Sequence, residues 1–157
     1  MNYESYERRI EEQGYHLDGD IYRDAKGYPK CYNGVFQELV ERQKSGIPLS
    51  RREYEMYGML LRTLVKIVLN NHKFKFQEPE LKDECALEAY CEVLPALPKY
   101  FNPERGTAYA YAFRVAYTSM IHVLEANNVR NRLATNLIEK AEDDRVDTGH
   151  KVGPVYN

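Results

Sequence analysis

The chain has 157 residues and carries 22 Lys+Arg against 24 Asp+Glu, for a formal charge of −2, with 43% hydrophobic and 29% charged residues. That is one domain's worth of ordinary globular chain with enough apolar material for a core. It excludes a largely disordered protein and a globally basic, histone-like binder, so any nucleic-acid contact must come from a local patch. Tyrosine is the compositional outlier, with 14 Tyr and 5 Phe but no Trp. No apolar run approaches the ~18–20 residues that span a bilayer. The first residues, MNYESYERRIEEQG, are too polar for a signal peptide. Cys31, Cys85 and Cys91 show no CxxC spacing, which argues against a disulfide framework or a zinc site and for a reducing compartment.

Residues 1–34 read as an N-terminal arm. Tyr3, Tyr6 and Ile10 fall at helical spacing and predict a short charged helix over residues 1–14. Asp18-Gly19 and Lys26-Gly27 then punctuate alternating residues, which suits one or two small β-hairpins. Tyr15, Tyr22, Tyr28 and Tyr32 with Arg23, Lys26 and Lys30 fit a partner- or DNA-binding hairpin; an arm that packs on the helices is the plainer reading. Asp18, Asp20 and Asp24 do not match an EF-hand loop and suit a polar turn better than a metal site.

Residues 35–141 have the pattern of an all-α domain. Val35, Phe36, Leu39 and Val40 share one face of a helix that stops at Ser45-Gly46. Ser50-Arg51-Arg52-Glu53 is a capping box, in which serine and glutamate side chains satisfy the free amides of the first turn. The helix it opens runs to about Asn70, with Tyr54, Tyr57, Leu60, Leu61, Leu64, Val65, Val68 and Leu69 as its apolar stripe. After a loop, HKFKFQE, Pro79 marks the first turn of another helix. Leu81, Cys85, Leu87, Ala89, Tyr90, Val93, Leu94 and Leu97 are its apolar set, and Pro95 and Pro98 are expected to end it. A loop, KYFNPERG, precedes a helix from near Thr107 to about Ala126, a break at Asn127-Asn128, and a last short helix over 129–141. Residues 142–157 read as an acidic, flexible tail.

Charge is unevenly spread. Lys99 to Arg132 holds five basic residues against two acidic, and Glu139 to Thr148 five acidic against two basic. On a wheel of 100° per residue, Tyr109, Phe113, Ala116, Tyr117, Met120, Ile121 and Leu124 form an expected core stripe. Tyr111, Arg114, Thr118 and His122, at i, i+3, i+7 and i+11, form a second strip. A ring, a guanidinium and two hydrogen-bonding groups in one row suit single-stranded nucleic acid, with stacking on the ring and phosphate on the cation. An ordinary solvated helix face explains the same periodicity.

Residues 81–126 resemble region two of bacterial RNA polymerase sigma factors, and the likeness extends over about residues 32–132. It rests on the turn Tyr100-Phe101-Asn102-Pro103-Glu104-Arg105-Gly106, the run Tyr111-Ala112-Phe113-Arg114-Val115-Ala116, and the preceding segment LLRTLVKIVLNNHKF. Size and the segment YNGVFQELVERQKSG look most like the late-transcription sigma factors of T-even-type phages. Where that family commonly has tryptophans in its melting helix, tyrosines stand here.

The resemblance implies a compact helical domain that binds core RNA polymerase on its clamp coiled coil and recognises and melts the minus-ten element of late promoters. It holds flipped bases of the non-template strand and acts in the cytoplasm of a bacterial host. Carried over residue by residue, polymerase docking falls on Lys82, Glu84, Glu88 and Glu92. Promoter melting falls on Lys99, Arg105, Tyr109, Tyr111, Phe113 and Arg114. Downstream DNA contact falls on Thr118, His122, Asn127, Asn128, Arg130 and Arg132. The 31 residues after Ala126 are too few for a separate helix-turn-helix domain, so promoter reading is expected to stop at the minus-ten element. Val152, Val155 and Tyr156 behind the acidic stretch match a tail that binds a sliding clamp or co-activator, or a frayed terminus. No motif calls for a metal, a cofactor or catalysis. The other open reading is a helical adaptor that binds polymerase or another protein without reading DNA.

Overall fold

The computed structural model describes residues 3–150, with side chains as far as Asp144. The described chain is predominantly helical with one small hairpin. Its elements in order are α1 (Tyr3–Glu12), β1 (His16–Asp18), β2 (Ile21–Arg23), α2 (Asn33–Lys44), α3 (Arg51–Leu69), α4 (His72–Lys75), α5 (Pro79–Tyr100), a 3₁₀ turn (Pro103–Arg105) and α6 (Ala108–His150). Two compact units divide in sequence between Ile121 and His122.

In the first unit the arm packs on the helices. Tyr6 and Ile10 bury one face of α1, and β1 pairs antiparallel with β2 in the register His16–Arg23, Leu17–Tyr22, Asp18–Ile21. The hairpin is pinned to α3, where the Tyr22 amide donates to Thr63 Oγ1 at 2.8 Å while that hydroxyl donates to Met59 O at 2.7 Å. The aspartates serve the turns. Asp18 pairs with Arg23 at 2.8 Å, and the Asp24 carboxylate accepts from the amides of Lys26 and Tyr28.

Ser50 and Glu53 form the predicted capping box at the start of α3. Glu53 has a second task. It is buried, and its other oxygen accepts from Arg42 Nη1 at 2.5 Å, while Arg42 also donates to Tyr6 Oη and Pro48 O. One guanidinium thus ties α1, α2 and α3 together. Burial alone pushes the Glu53 carboxyl up, but the Arg42 guanidinium and the Ser50 amide outweigh it and hold the carboxyl below its ordinary value.

Four expectations are corrected. Pro95 and Pro98 lie inside α5, which continues to Tyr100. The acceptors they leave without a helix donor, the carbonyls of Cys91 and Leu94, belong to exposed residues. Val93 and Leu97 on the opposite face are buried and hold the helix together past both prolines. Leu87 and Leu94 are 64% and 45% exposed, outside the core to which the apolar pattern assigned them, as is Tyr54 of α3 at 50%. The break at Asn127-Asn128 is absent, since α6 runs unbroken from Ala108 to His150. Finally, the buried face of α6 in the first unit is a small-residue stripe, Ala108, Ala112, Ala116 and Ser119 with Met120, whereas Tyr109, Phe113 and Tyr117 are only half-buried. Alanines let the helix approach its neighbours closely: Cys85 Sγ lies 3.8 Å from Met120 O, and Tyr117 meets the Phe74 ring edge-on at 5.5 Å.

Candidate functional site

The segment between α5 and α6 is built by local chemistry. Asn102 Oδ1 accepts from the Glu104 amide at 3.0 Å, and Pro103 opens the 3₁₀ turn with the φ that it requires. Gly106 then takes φ +153°, a conformation that side-chain-bearing residues rarely adopt. Thr107 caps α6 by accepting from the Ala110 amide at 3.1 Å. Gln37 Oε1 of α2 reaches across to accept from the Ala108 amide at 2.6 Å, which fixes the start of α6 against the domain.

Phe101 is 1% exposed and anchors this turn in the core. Its ring meets Tyr111 at 5.9 Å with a 52° tilt, and the Arg114 guanidinium lies 5.7 Å from the Tyr111 ring centre. Together they bound a cleft of about 280 Å³, walled by Tyr100, Phe101, Arg105, Thr107, Tyr111 and Arg114. Tyr100 is 64% exposed at its mouth, with Lys99 Nζ 5.1 Å from its own neighbour's ring. Arg105 and Arg114 are exposed, and neither has an ion-pair partner among the described residues. A cleft with aromatic walls and two uncompensated guanidiniums can hold a planar ring against its tyrosines and an anion beside it.

The residues assigned to melting from sequence therefore divide. Lys99, Arg105, Tyr111 and Arg114 gather at or beside the cleft, and Thr118 continues their face of α6, exposed. Tyr109 and Phe113 do not join them. Each lies two positions from Tyr111, roughly 200° around the helix, and their rings pair with each other at 6.1 Å. Burial, and then Cys31, push the Tyr109 phenol up from its ordinary value. Tyr100, Phe101 and Thr107 are wall residues absent from the sequence assignment, although the Asn-Pro-x-Arg-Gly turn that presents them was visible.

The second unit is the distal part of α6. There His122, Asn128, Arg130 and Arg132 are exposed and Asn127 is half-buried. Val129, Leu133, Leu137 and Ile138 are exposed in the same segment. The tail residues Val152, Val155 and Tyr156 lie outside the described residues.

On α5, Glu84, Glu88 and Glu92 follow at four-residue spacing along an exposed stripe, beside exposed Leu87, Cys91 and Leu94. Lys82 stands apart from them, half-buried and roughly 160° around the helix from Glu84. The exposed face thus mixes carboxylates with two leucines. Among the described residues no helix is long and apolar enough to cross a membrane. Comparison with protein-family models, with curated proteins and with solved structures returns no match.

Proposed function

We propose that this protein is a sigma-like transcription-initiation factor that works with core RNA polymerase and opens the minus-ten element of phage late promoters. The observation that carries the reading is the cleft after α5, where the Phe101–Tyr111 pair and the free cations Arg105 and Arg114 meet. It supports the resemblance to region two of bacterial sigma factors because the turn and the run that carry the resemblance are the two walls of one cavity.

In this reading the acidic, leucine-bearing face of α5 docks on a basic helical surface of the polymerase clamp. The cleft then receives an unpaired base of the non-template strand. Flipping a base costs a few kcal/mol, and stacking on an aromatic side chain returns about 1–3 kcal/mol per base. Arg105 and Arg114 hold the flanking phosphates. A/T-rich steps are the natural target because they unstack most readily. With a net charge of −2 the free chain binds DNA weakly, and the polymerase complex supplies the remaining affinity.

The test is transcription by purified core polymerase on A/T-rich late-promoter templates, with and without the protein. Protein-dependent initiation is expected, and Tyr111→Ala with Arg114→Ala should abolish it while co-purification with polymerase persists. Retained binding and initiation that ignores both substitutions would move the account to an adaptor that does not read DNA. No association with polymerase would remove the proposal.

A further inference from the structure

The arm contains a second cavity, on a part of the chain that the proposed function does not use. Between α1 and β1 lies a cleft of about 220 Å³. Tyr3, Glu7 and Glu11, at four-residue spacing, form its helical wall, Tyr15 faces them, and buried Ile10 and Tyr22 make its floor. Neither Glu7 nor Glu11 has an ion-pair partner among the described residues. The cleft is therefore aromatic, apolar below, and negative at its wall. The floor phenol registers that field: burial first, and then Tyr3 and the carboxylates of Glu7 and Glu11, push Tyr22 up from its ordinary value. The chain itself already places a cation on one of these rings, with the Arg52 guanidinium 4.2 Å from the Tyr3 ring centre. His16 lines the cleft as well.

We infer that this cleft binds an alkyl cation: the ammonium or guanidinium of a lysine or arginine side chain on a partner protein, or a free polyamine. Tyr15 and Tyr22 line the cleft beside Tyr3, whose ring already carries Arg52, and a cation set against such rings is attracted by them. The Glu7 and Glu11 carboxylates, neither with an ion-pair partner among the described residues, supply the counter-charge, and Glu7 also accepts from the Tyr3 phenol. The floor of Ile10 and Tyr22 accepts the methylene stem that such a cation carries. The same carboxylates repel phosphate, so the arm serves a different class of ligand from the cleft between α5 and α6. The inference stands whether or not the chain reads promoters.

The experiment is a titration of the full chain, labelled in its tyrosine rings, followed by NMR with three probes: N-acetyl-lysine methylamide, N-acetyl-arginine methylamide and spermidine. Sodium chloride of equal ionic strength is the control. The ring resonances of Tyr3, Tyr15 and Tyr22 should shift together and saturably, with Tyr100 and Tyr111 unmoved. Shifts with the amides identify a protein side chain as the source, and shifts with spermidine alone identify a polyamine. Glu7→Gln with Glu11→Gln should weaken binding about tenfold, as expected for removing two partly solvated charge pairs. Leu17→Lys, at an exposed rim position, sets a tethered ammonium at the cleft and should compete with every probe without touching the carboxylates. Shifts reproduced by sodium chloride, no saturable shift, or full affinity in both variants would overturn the inference.

Discussion

Glu53→Gln separates charge from shape at the junction of α1, α2 and α3. The glutamine can still accept from the Ser50 amide, but its other end turns an NH₂ toward Arg42 Nη1, where a carboxylate oxygen stood at 2.5 Å. The Glu53 side chain is 5% exposed and that of Arg42 is 20% exposed, so little solvent screens the loss. Removing a charge-assisted hydrogen bond of this kind costs about 2–3 kcal/mol, below the 3–5 kcal/mol of a fully buried pair because Arg42 keeps Pro48 O and some water. For a unit of this size that is a fall in Tm of roughly 6–18 °C. The pH dependence gives the sharper test. The folded-state pKa of Glu53 is lowered, so its contribution is complete above the unfolded value, about 4.3, and is lost as pH falls through the folded value. Denaturant unfolding followed by far-UV circular dichroism should show the two proteins differing by the full amount at pH 7, with the gap narrowing as pH falls below about 4.3. A difference under about 0.5 kcal/mol at pH 7, or one that stays constant down to pH 3, would refute the assignment of this pair as the tie between the three helices.

Three further outcomes follow from the same geometry. Pro95→Ala restores a helix donor at a solvent-facing position, and should raise stability by about 1–2 kcal/mol after the looser unfolded chain is allowed for; thermal melting checks it, and a fall in Tm would mean the proline is needed for the shape of α5. Gly106→Ala should cost about 1–3 kcal/mol through its backbone angle alone, because a Cβ there meets nothing within 4 Å; an unchanged Tm would contradict the φ of +153°. Leu87→Glu with Leu94→Glu should abolish polymerase capture while changing stability by no more than about 0.5 kcal/mol per site, as read by pull-down and melting together; capture at wild-type strength would remove α5 as the docking face.

Much of the fold is legible in the sequence, where local chemistry decides it. The Ser50–Glu53 box, Pro79 at the first turn of α5, and the Tyr6–Ile10 face of α1 need no distant partner to be read, and all three stand in the structure. The failures are tertiary. Pro95 and Pro98 read as stops because the cost of a helical proline is local, whereas burial of Val93 and Leu97 on the other face is not. On α6 the wheel picks out Ala116 and Met120 correctly, but it also turns the large rings of Tyr109, Phe113 and Tyr117 inward and passes over Ala108 and Ala112, which close helix contact selects. Leu87 and Leu94 read as core because periodicity cannot tell an apolar residue that packs from one that stays exposed. At the cleft, the strip of Tyr111, Arg114 and Thr118 was visible from spacing, while Tyr100, Phe101 and Thr107 needed the path of the turn. That path depends on Gln37, 71 positions from the Ala108 amide it holds, a separation no local pattern encodes.

In the proposed function, the cleft at Tyr111 and Arg114 takes a base out of promoter DNA within the polymerase complex. Permanganate probing of unpaired thymines tests it most directly, on complexes of core polymerase, A/T-rich late-promoter DNA, and either the natural protein or Tyr111→Ala with Arg114→Ala. Reactive thymines are expected at the minus-ten element with the natural protein, and protection at the same positions with the variant although polymerase still carries it. Equal reactivity with both proteins, or none with the natural protein in a complex that retains polymerase and DNA, would contradict it.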